Sequence, residues 1–226
     1  MVKVYSQNYA YDYPFATVTL AYFLRYPNPY SRHVLSTDVL DRTFDPATQR
    51  LYTTRLHLKR SRLPAAVVKL LPRSLLGASA NGDSQAYILE RSVVDVREGW
   101  MATESRNLEL TTVLDVIERQ TYKRPLEAKG NFGDEGTEVA TTVTLHSRLG
   151  QRFRRARESA AEAPQGNFLA RWSQASLQST IESIGLNRAS KSQPNAMEGM
   201  KIVMERLRHG GMVAVLEGMR KDREAS

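Results

Sequence analysis

The four histidines, His33, His57, His146 and His209, stand singly and far apart. They have neither the His-Glu-x-x-His spacing that places two imidazoles on one helix face for a metal, nor a Gly-x-Ser-x-Gly elbow nearby, and no phosphate-cradling glycine loop occurs. The chain has no cysteine, which excludes disulfides, thiolate metal sites and a cysteine nucleophile, and leaves the redox compartment open. Scattered carboxylates can still converge in space, so an enzyme is disfavoured on motifs alone. No cofactor or metal is expected. What remains is cation chemistry. Thirty-two Lys and Arg against 24 Asp and Glu give a formal charge of +8, which favours contact with phosphates of nucleic acid or of an anionic membrane. Charge by itself does not choose between them. The densest cationic run is Arg148, Arg152, Arg154, Arg155 and Arg157. Near an anionic bilayer each such cation contributes about 1 kcal/mol, although Glu158 and Glu162 between them equally suit a solvated helix face. An RNA-binding module would show an aromatic RRM signature or a Gly-x-x-Gly loop; neither is present, and no nucleic-acid partner is expected.

The elements that must position these cations follow from periodicity. Residues 2–11 alternate as a strand, and Asp12-Tyr13-Pro14 opens a helix whose Phe15, Val18, Ala21 and Tyr22 recur at helical spacing. It should end near Arg25-Tyr26, because Pro27-Asn28-Pro29 cannot continue it. Strand-like segments follow at 33–44, 50–59, 84–95, 99–110, 111–122 and 135–147, a meander of about seven strands with the first. Residues 123–134 read as a loop. Beyond Ser147 the composition predicts helices over 148–162 and 167–184, broken by Ala163-Pro164-Gln165-Gly166. A polar linker over 187–195 then precedes a last helix carrying Met197, Met200, Met204 and Leu207, with a frayed tail from Lys221. One domain with appendages fits 226 residues: a main body over 1–208 and a helical end and tail over 209–226. The fold class is α+β, with helices covering one face of a curved antiparallel sheet. No apolar run approaches the roughly 20 residues of a membrane-spanning helix. A soluble or peripheral protein is expected on that count, and the N-terminus shows no cleavable address.

The run Arg25-Tyr26-Pro27-Asn28-Pro29-Tyr30-Ser31-Arg32-His33-Val34, behind the Pro14 helix, resembles the signature of the PRELI/Ups family of mitochondrial lipid-transfer proteins. Further segments resemble it in order: Thr53-Thr54-Arg55-Leu56 with Lys59, Leu63-Pro64, Ser92-Val93-Val94-Asp95, Arg106-Asn107-Leu108, Thr121-Tyr122, Trp172 and Glu198-Gly199-Met200. The resemblance implies a curved seven-stranded sheet whose concave face, roofed by a long C-terminal helix, encloses one phospholipid behind a lid loop. It also implies the mitochondrial intermembrane space, transient contact with anionic membranes and a small helical-hairpin partner with twin cysteine pairs. The Tyr-Pro-Asn-Pro-Tyr-Ser wording is similar to members that carry phosphatidic acid, phosphatidylserine being the alternative cargo. The chain departs from the pattern at Arg73–Ser84, which carries extra residues, at Tyr87, where tryptophan is usual, and at Ser176, Thr180 and Ser183, where phosphatidic-acid carriers have lysines and an asparagine.

By that resemblance Arg25, His33 and Lys59 are the headgroup residues, with Arg55 and Thr180 as support. A phosphate in a low-dielectric pocket needs such cations and donors, since an unpaired anion there is costly. Each has a plainer reading beside it. Arg25 would equally serve the carbonyls and dipole at a helix end, His33 a hydrogen-bonded strand start, and Arg55 a structural ion pair. The lid would be Leu63–Arg73, with Leu63, Val67, Val68, Leu70 and Leu71 touching a membrane beside Lys69 and Arg73. Trp172 and the methionines read first as core or cavity lining.

Overall fold

Alternating apolar and polar residues give a strand a wet and a dry face, and here the dry face runs across the sheet but fades at the edge strand Val34–Asp45, most of which is exposed. The computed structural model describes residues 2–62, 83–109, 111, 114–125, 136–147 and 168–225, with the side chains of 61–62, 83–84, 147, 168–182, 184 and 189 outside it. The elements run β1 (Val2–Tyr11), α1 (Phe15–Phe23), a 3-10 turn (Pro29–Ser31), β2 (Val34–Asp45), β3 (Arg50–Arg62), β4 (Asp83–Asp95), β5 (Trp100–Asn107), β6 (Leu114–Lys123), β7 (Thr137–Ser147) and α2 (Phe168–Glu224). The strands form one antiparallel sheet in the order β1-β7-β6-β5-β4-β3-β2. The sheet is open, with β1 and β2 at its edges, and the α+β plan read from the sequence holds.

The helix that Pro14 opens covers the dry face: Phe15, Val18, Ala21 and Tyr22 are buried. They pack with Tyr11, Val94, Met101, Tyr122 and Val139 from the sheet and Met200, Val203 and Met204 from α2. Register places this solid core at one end of the sheet, since Val94 pairs with Met101, Met101 with Tyr122 and Tyr122 with Val139. The opposite end, where Ile88 pairs with Asn107, is hollow.

α2 crosses the open face. Gly185 sits beside Leu145 and Leu114, and a Cβ at Gly199 would lie 2.8 Å from the side-chain amide of Asn28. Asn28 is buried and shapes the turn after α1, its Oδ1 accepting from Tyr30 N at 2.9 Å and its Nδ2 donating to Arg25 O at 2.5 Å. The bare backbone of Gly199 therefore lets the helix rest on the turn that carries Arg25.

Two expectations are corrected. Residues 187–195, read as a polar linker, continue the helix, with Pro194 inside it. Their polarity has a different cause: most of them face solvent on the outer side of α2, while Gln193 alone among their described side chains is buried. The break falls instead at Gly211, whose φ of 61° and ψ of −152° suit glycine alone. The tail does not fray at Lys221, because helix continues to Glu224. Residues 212–224 fold back, placing Val215 in the core and pairing Arg206 with Asp222 at 2.7 Å. The expected helix over 148–162, its break at 163–166 and the loop over 126–134 lie outside the described residues.

Candidate functional site

The hollow end of the sheet is a cavity of about 290 Å³, near the lower limit of roughly 300 Å³ for ligand pockets. Inward rows of successive strands line it: Tyr9 and Tyr11 from β1, His57 and Lys59 from β3, Ile88 and Glu90 from β4, and Val116, Glu118, Gln120 and Tyr122 from β6. Tyr22, Arg25, Tyr26 and His33 enter from α1 and the turn behind it, and Gln193 and Met200 from α2. The lining is aromatic and polar.

Its floor is an ion cluster. Glu90 is 1% exposed and accepts from Arg55 Nε at 2.8 Å on Oε1, and from Arg25 Nη2 at 2.5 Å and His57 Nε2 at 3.2 Å on Oε2. Arg55 and Glu90 are register partners on β3 and β4, so the pair is set by strand pairing. The same arginines serve the end of α1, Arg25 Nη1 donating to Tyr22 O and Arg55 Nη1 to Phe23 O, each at 3.0 Å. These carbonyls have no intrahelical donor, and the cations also suit the negative end of the helix dipole. The helix-end reading of Arg25 and the ion-pair reading of Arg55 therefore describe real contacts.

Burial alone would raise the Glu90 carboxyl, but Arg25, with His57 and Arg55, holds it well below the carboxylate range. Burial opposes the Arg25 charge too, and Glu90 overrides it, so Arg25 stays firmly protonated. His57 goes the other way: desolvation lowers its pKa despite the Glu90 contact. With Nε2 donating to the carboxylate, Nδ1 accepts from Thr37 Oγ1 at 2.9 Å, a tautomer fixed by the network. Arg25 further lies 3.8 Å from the centroid of Tyr22 and 4.7 Å from that of Tyr26.

Lys59 differs. It is half-buried, lines the cavity, and lies 5.9 Å from the Tyr26 ring centroid. No ion pair joins it to a carboxylate among the described residues. His33 stands exposed at the mouth, where the shelter of the wall first, and the Lys59 charge second, lower its pKa.

Arg25, His33 and Lys59 thus meet at one cavity, although 34 positions separate the first from the last. Arg55 lies beneath, behind Glu90. Thr180 belongs to α2, but its side chain, like those of Trp172 and Ser176, is outside the described residues, and Ser183 is exposed. The lid residues Leu63, Val67, Val68, Lys69, Leu70, Leu71 and Arg73, and the arginines 148, 152, 154 and 155, also lie outside them.

Glu90 was missed by sequence reading. Its signal is positional: it shares a two-residue row with Ile88, Ser92 and Val94, all facing inward, so this carboxylate had to find cations.

Fold and site together define a container, an open antiparallel sheet and a crossing helix around a charged cavity. The chain belongs to the PRELI-like family, whose model matches residues 16–158. It is 38% identical over 145 residues to the mitochondrial protein UPS1 of Saccharomyces cerevisiae, covering 64% of this chain and 77% of that one. It is 42% identical over 115 residues to the ups1 homolog of Schizosaccharomyces pombe, covering 51% and 59%. To the mitochondrial PRELI domain-containing protein 1 of Mus musculus it is 38% identical over 105 residues, covering 46% and 45%. For the last two, then, the match spans well under two thirds of the relative's length.

Proposed function

We propose that this protein is a mitochondrial phospholipid carrier that takes an anionic glycerophospholipid from one membrane and delivers it to another. The observation that supports this reading best is the half-buried Lys59, a cation without an acid partner among the described residues, in a cavity whose deep cations Arg25 and Arg55 share the single carboxylate of Glu90 and so keep a net positive charge. An anionic phosphate completes the charge balance there, with Arg25 and His33 as neighbours. The cavity is sized for the headgroup and glycerol of one lipid. Transfer needs no bond to form or break; its work is to shield chains that would otherwise meet water at roughly 0.8 kcal/mol per CH₂.

Phosphatidic acid is the leading cargo, on the Tyr26–Ser31 wording, and the intermembrane space between outer and inner mitochondrial membranes is the place of work. The small helical-hairpin protein with twin cysteine pairs is the proposed partner. Leu63–Arg73 is the proposed lid, with Arg148, Arg152, Arg154 and Arg155 as further membrane contacts. Transfer between liposomes, with Val67→Asp and Leu70→Asp as lid variants, tests the carrier. Movement of intact labelled phosphatidic acid that both variants abolish is expected. A hydrolysed lipid, or no movement by wild type, overturns the reading.

A further inference from the structure

The wall of the cavity facing the cation cluster has its own polarity, and it is one-sided. On β6, residues 116, 118, 120 and 122 turn inward together. Tyr122 Oη donates to Gln120 Oε1 at 2.8 Å, and Gln120 Nε2 donates to Glu118 Oε1 at 3.0 Å. From α2, Gln193 Nε2 donates to the same Glu118 Oε1 at 3.0 Å. The orientation of the Gln193 amide is dictated by this contact. A carboxylate only accepts, so the amide must turn its NH₂ toward Glu118 and its oxygen away.

The consequence is an unmet acceptor. Gln193 is 3% exposed, lines the cavity, and its Oε1 has no hydrogen-bond partner. Glu118 Oε2 takes part in neither of the bonds that occupy Oε1. Tyr122, Gln120 and Gln193 each direct a donor along this wall, and Gln193 Oε1 is left without one. Leaving a buried oxygen without a donor is costly, so its presence beside a cavity points to a ligand group that donates.

We infer that Glu118 and Gln193 form an acceptor subsite for a donor-bearing headgroup, an ammonium or hydroxyl carried by the alcohol esterified to the lipid phosphate. This rests on the carrier reading above and departs from it on cargo: the cation cluster and Lys59 take the phosphate of any of these lipids, and Glu118 and Gln193 favour a lipid with a donor beyond the phosphate over phosphatidic acid. Phosphatidic acid, a phosphate monoester, leaves both acceptors unmet. An ammonium headgroup satisfies them best because it supplies three donors and a charge opposite to that of Glu118.

The test is competitive transfer between liposomes of phosphatidic acid, phosphatidylglycerol, phosphatidylethanolamine and phosphatidylserine, by wild type, Gln193→Met and Glu118→Gln. Gln193→Met keeps the volume and removes the acceptor; Glu118→Gln keeps the shape and removes the charge. Relative to phosphatidic acid, transfer of the donor-bearing lipids should fall about fivefold or more in Gln193→Met, as the loss of one ordinary hydrogen bond implies. In Glu118→Gln the ammonium lipids should fall further than phosphatidylglycerol. Wild type that carries phosphatidic acid and none of the others overturns the inference and leaves the carrier standing, as do ratios unchanged in both variants. Wild type that carries no lipid overturns both.

Discussion

Arg25 Nη2 lies 2.5 Å from Glu90 Oε2, so the cation that the family resemblance assigns to a phosphate already shares a buried carboxylate with Arg55. The site is therefore a preassembled cluster, two arginines on one acid, held against the end of α1. Its net positive charge reaches a ligand through a rigid frame, whereas Lys59 offers a separate charge on a flexible stem.

Removing the acid should be worse than removing a cation. Glu90→Ala strands Arg25 and Arg55 in a buried site, and breaking such a pair from one side costs about 3–5 kcal/mol. Urea denaturation should show the midpoint falling accordingly. A variant as stable as wild type would mean that the cluster contributes nothing to the fold.

Acid should loosen the protein in two stages. His57 and His33 have folded pKa values below their ordinary one. The unfolded chain therefore binds these protons first, and stability is complete above about pH 6.5 and declines as pH falls below it. Glu90 has a depressed carboxyl pKa, so its contribution is present above about pH 4.3 and is lost only on further acidification. Melting temperature should be level from pH 8 to 7 and fall toward pH 5, and the double variant His33→Gln, His57→Gln should flatten this limb. An equal decline in that variant would place the titrating groups elsewhere.

Gly199 tests the helix seat. A side chain there would approach the Asn28 amide to 2.8 Å, against a residue bonded to Arg25 O and Tyr30 N. Gly199→Val should destabilise by about 1–3 kcal/mol, the range for overpacking, with Gly199→Ala milder. Thermal melts that coincide with wild type would show that α2 does not need this close approach.

The returning arm is held by Val215, which is 0% exposed, and by the Arg206–Asp222 pair. Val215→Asp should release residues 212–224 and open the chain near Gly211 to limited proteolysis. Cleavage there at the wild-type rate would contradict the packing.

The strands were legible because a half-buried sheet writes its period into the residues, and the Pro14 helix because proline and the Phe15–Tyr22 spacing mark its start and inner face. That Lys59 and Arg25 share a cavity was suggested only by the family wording, since nothing in local spacing brings them together; the return of α1 over the sheet does that, setting Arg25 on Glu90 of β4 beside Lys59 of β3. Residues 187–195 misled because a polar run with a proline looks the same on a helix's outer face as in a linker. Glu90, Glu118 and Gln193 stayed hidden for a related reason. A polar residue in a strand or helix reads as outward until the packing around it shows a cavity on the inside.

The central claim, that a lipid phosphate binds beside Lys59, is tested most directly by Lys59→Glu in a liposome transfer assay with an anionic phospholipid. Lys59 makes no ion pair with a described carboxylate, so the fold should survive, unlike with Arg25→Glu, which would set two carboxylates against each other at Glu90. Transfer by Lys59→Glu should fall at least tenfold, about 1.4 kcal/mol, with an unchanged melting profile. Transfer at the wild-type rate by the folded variant would contradict it.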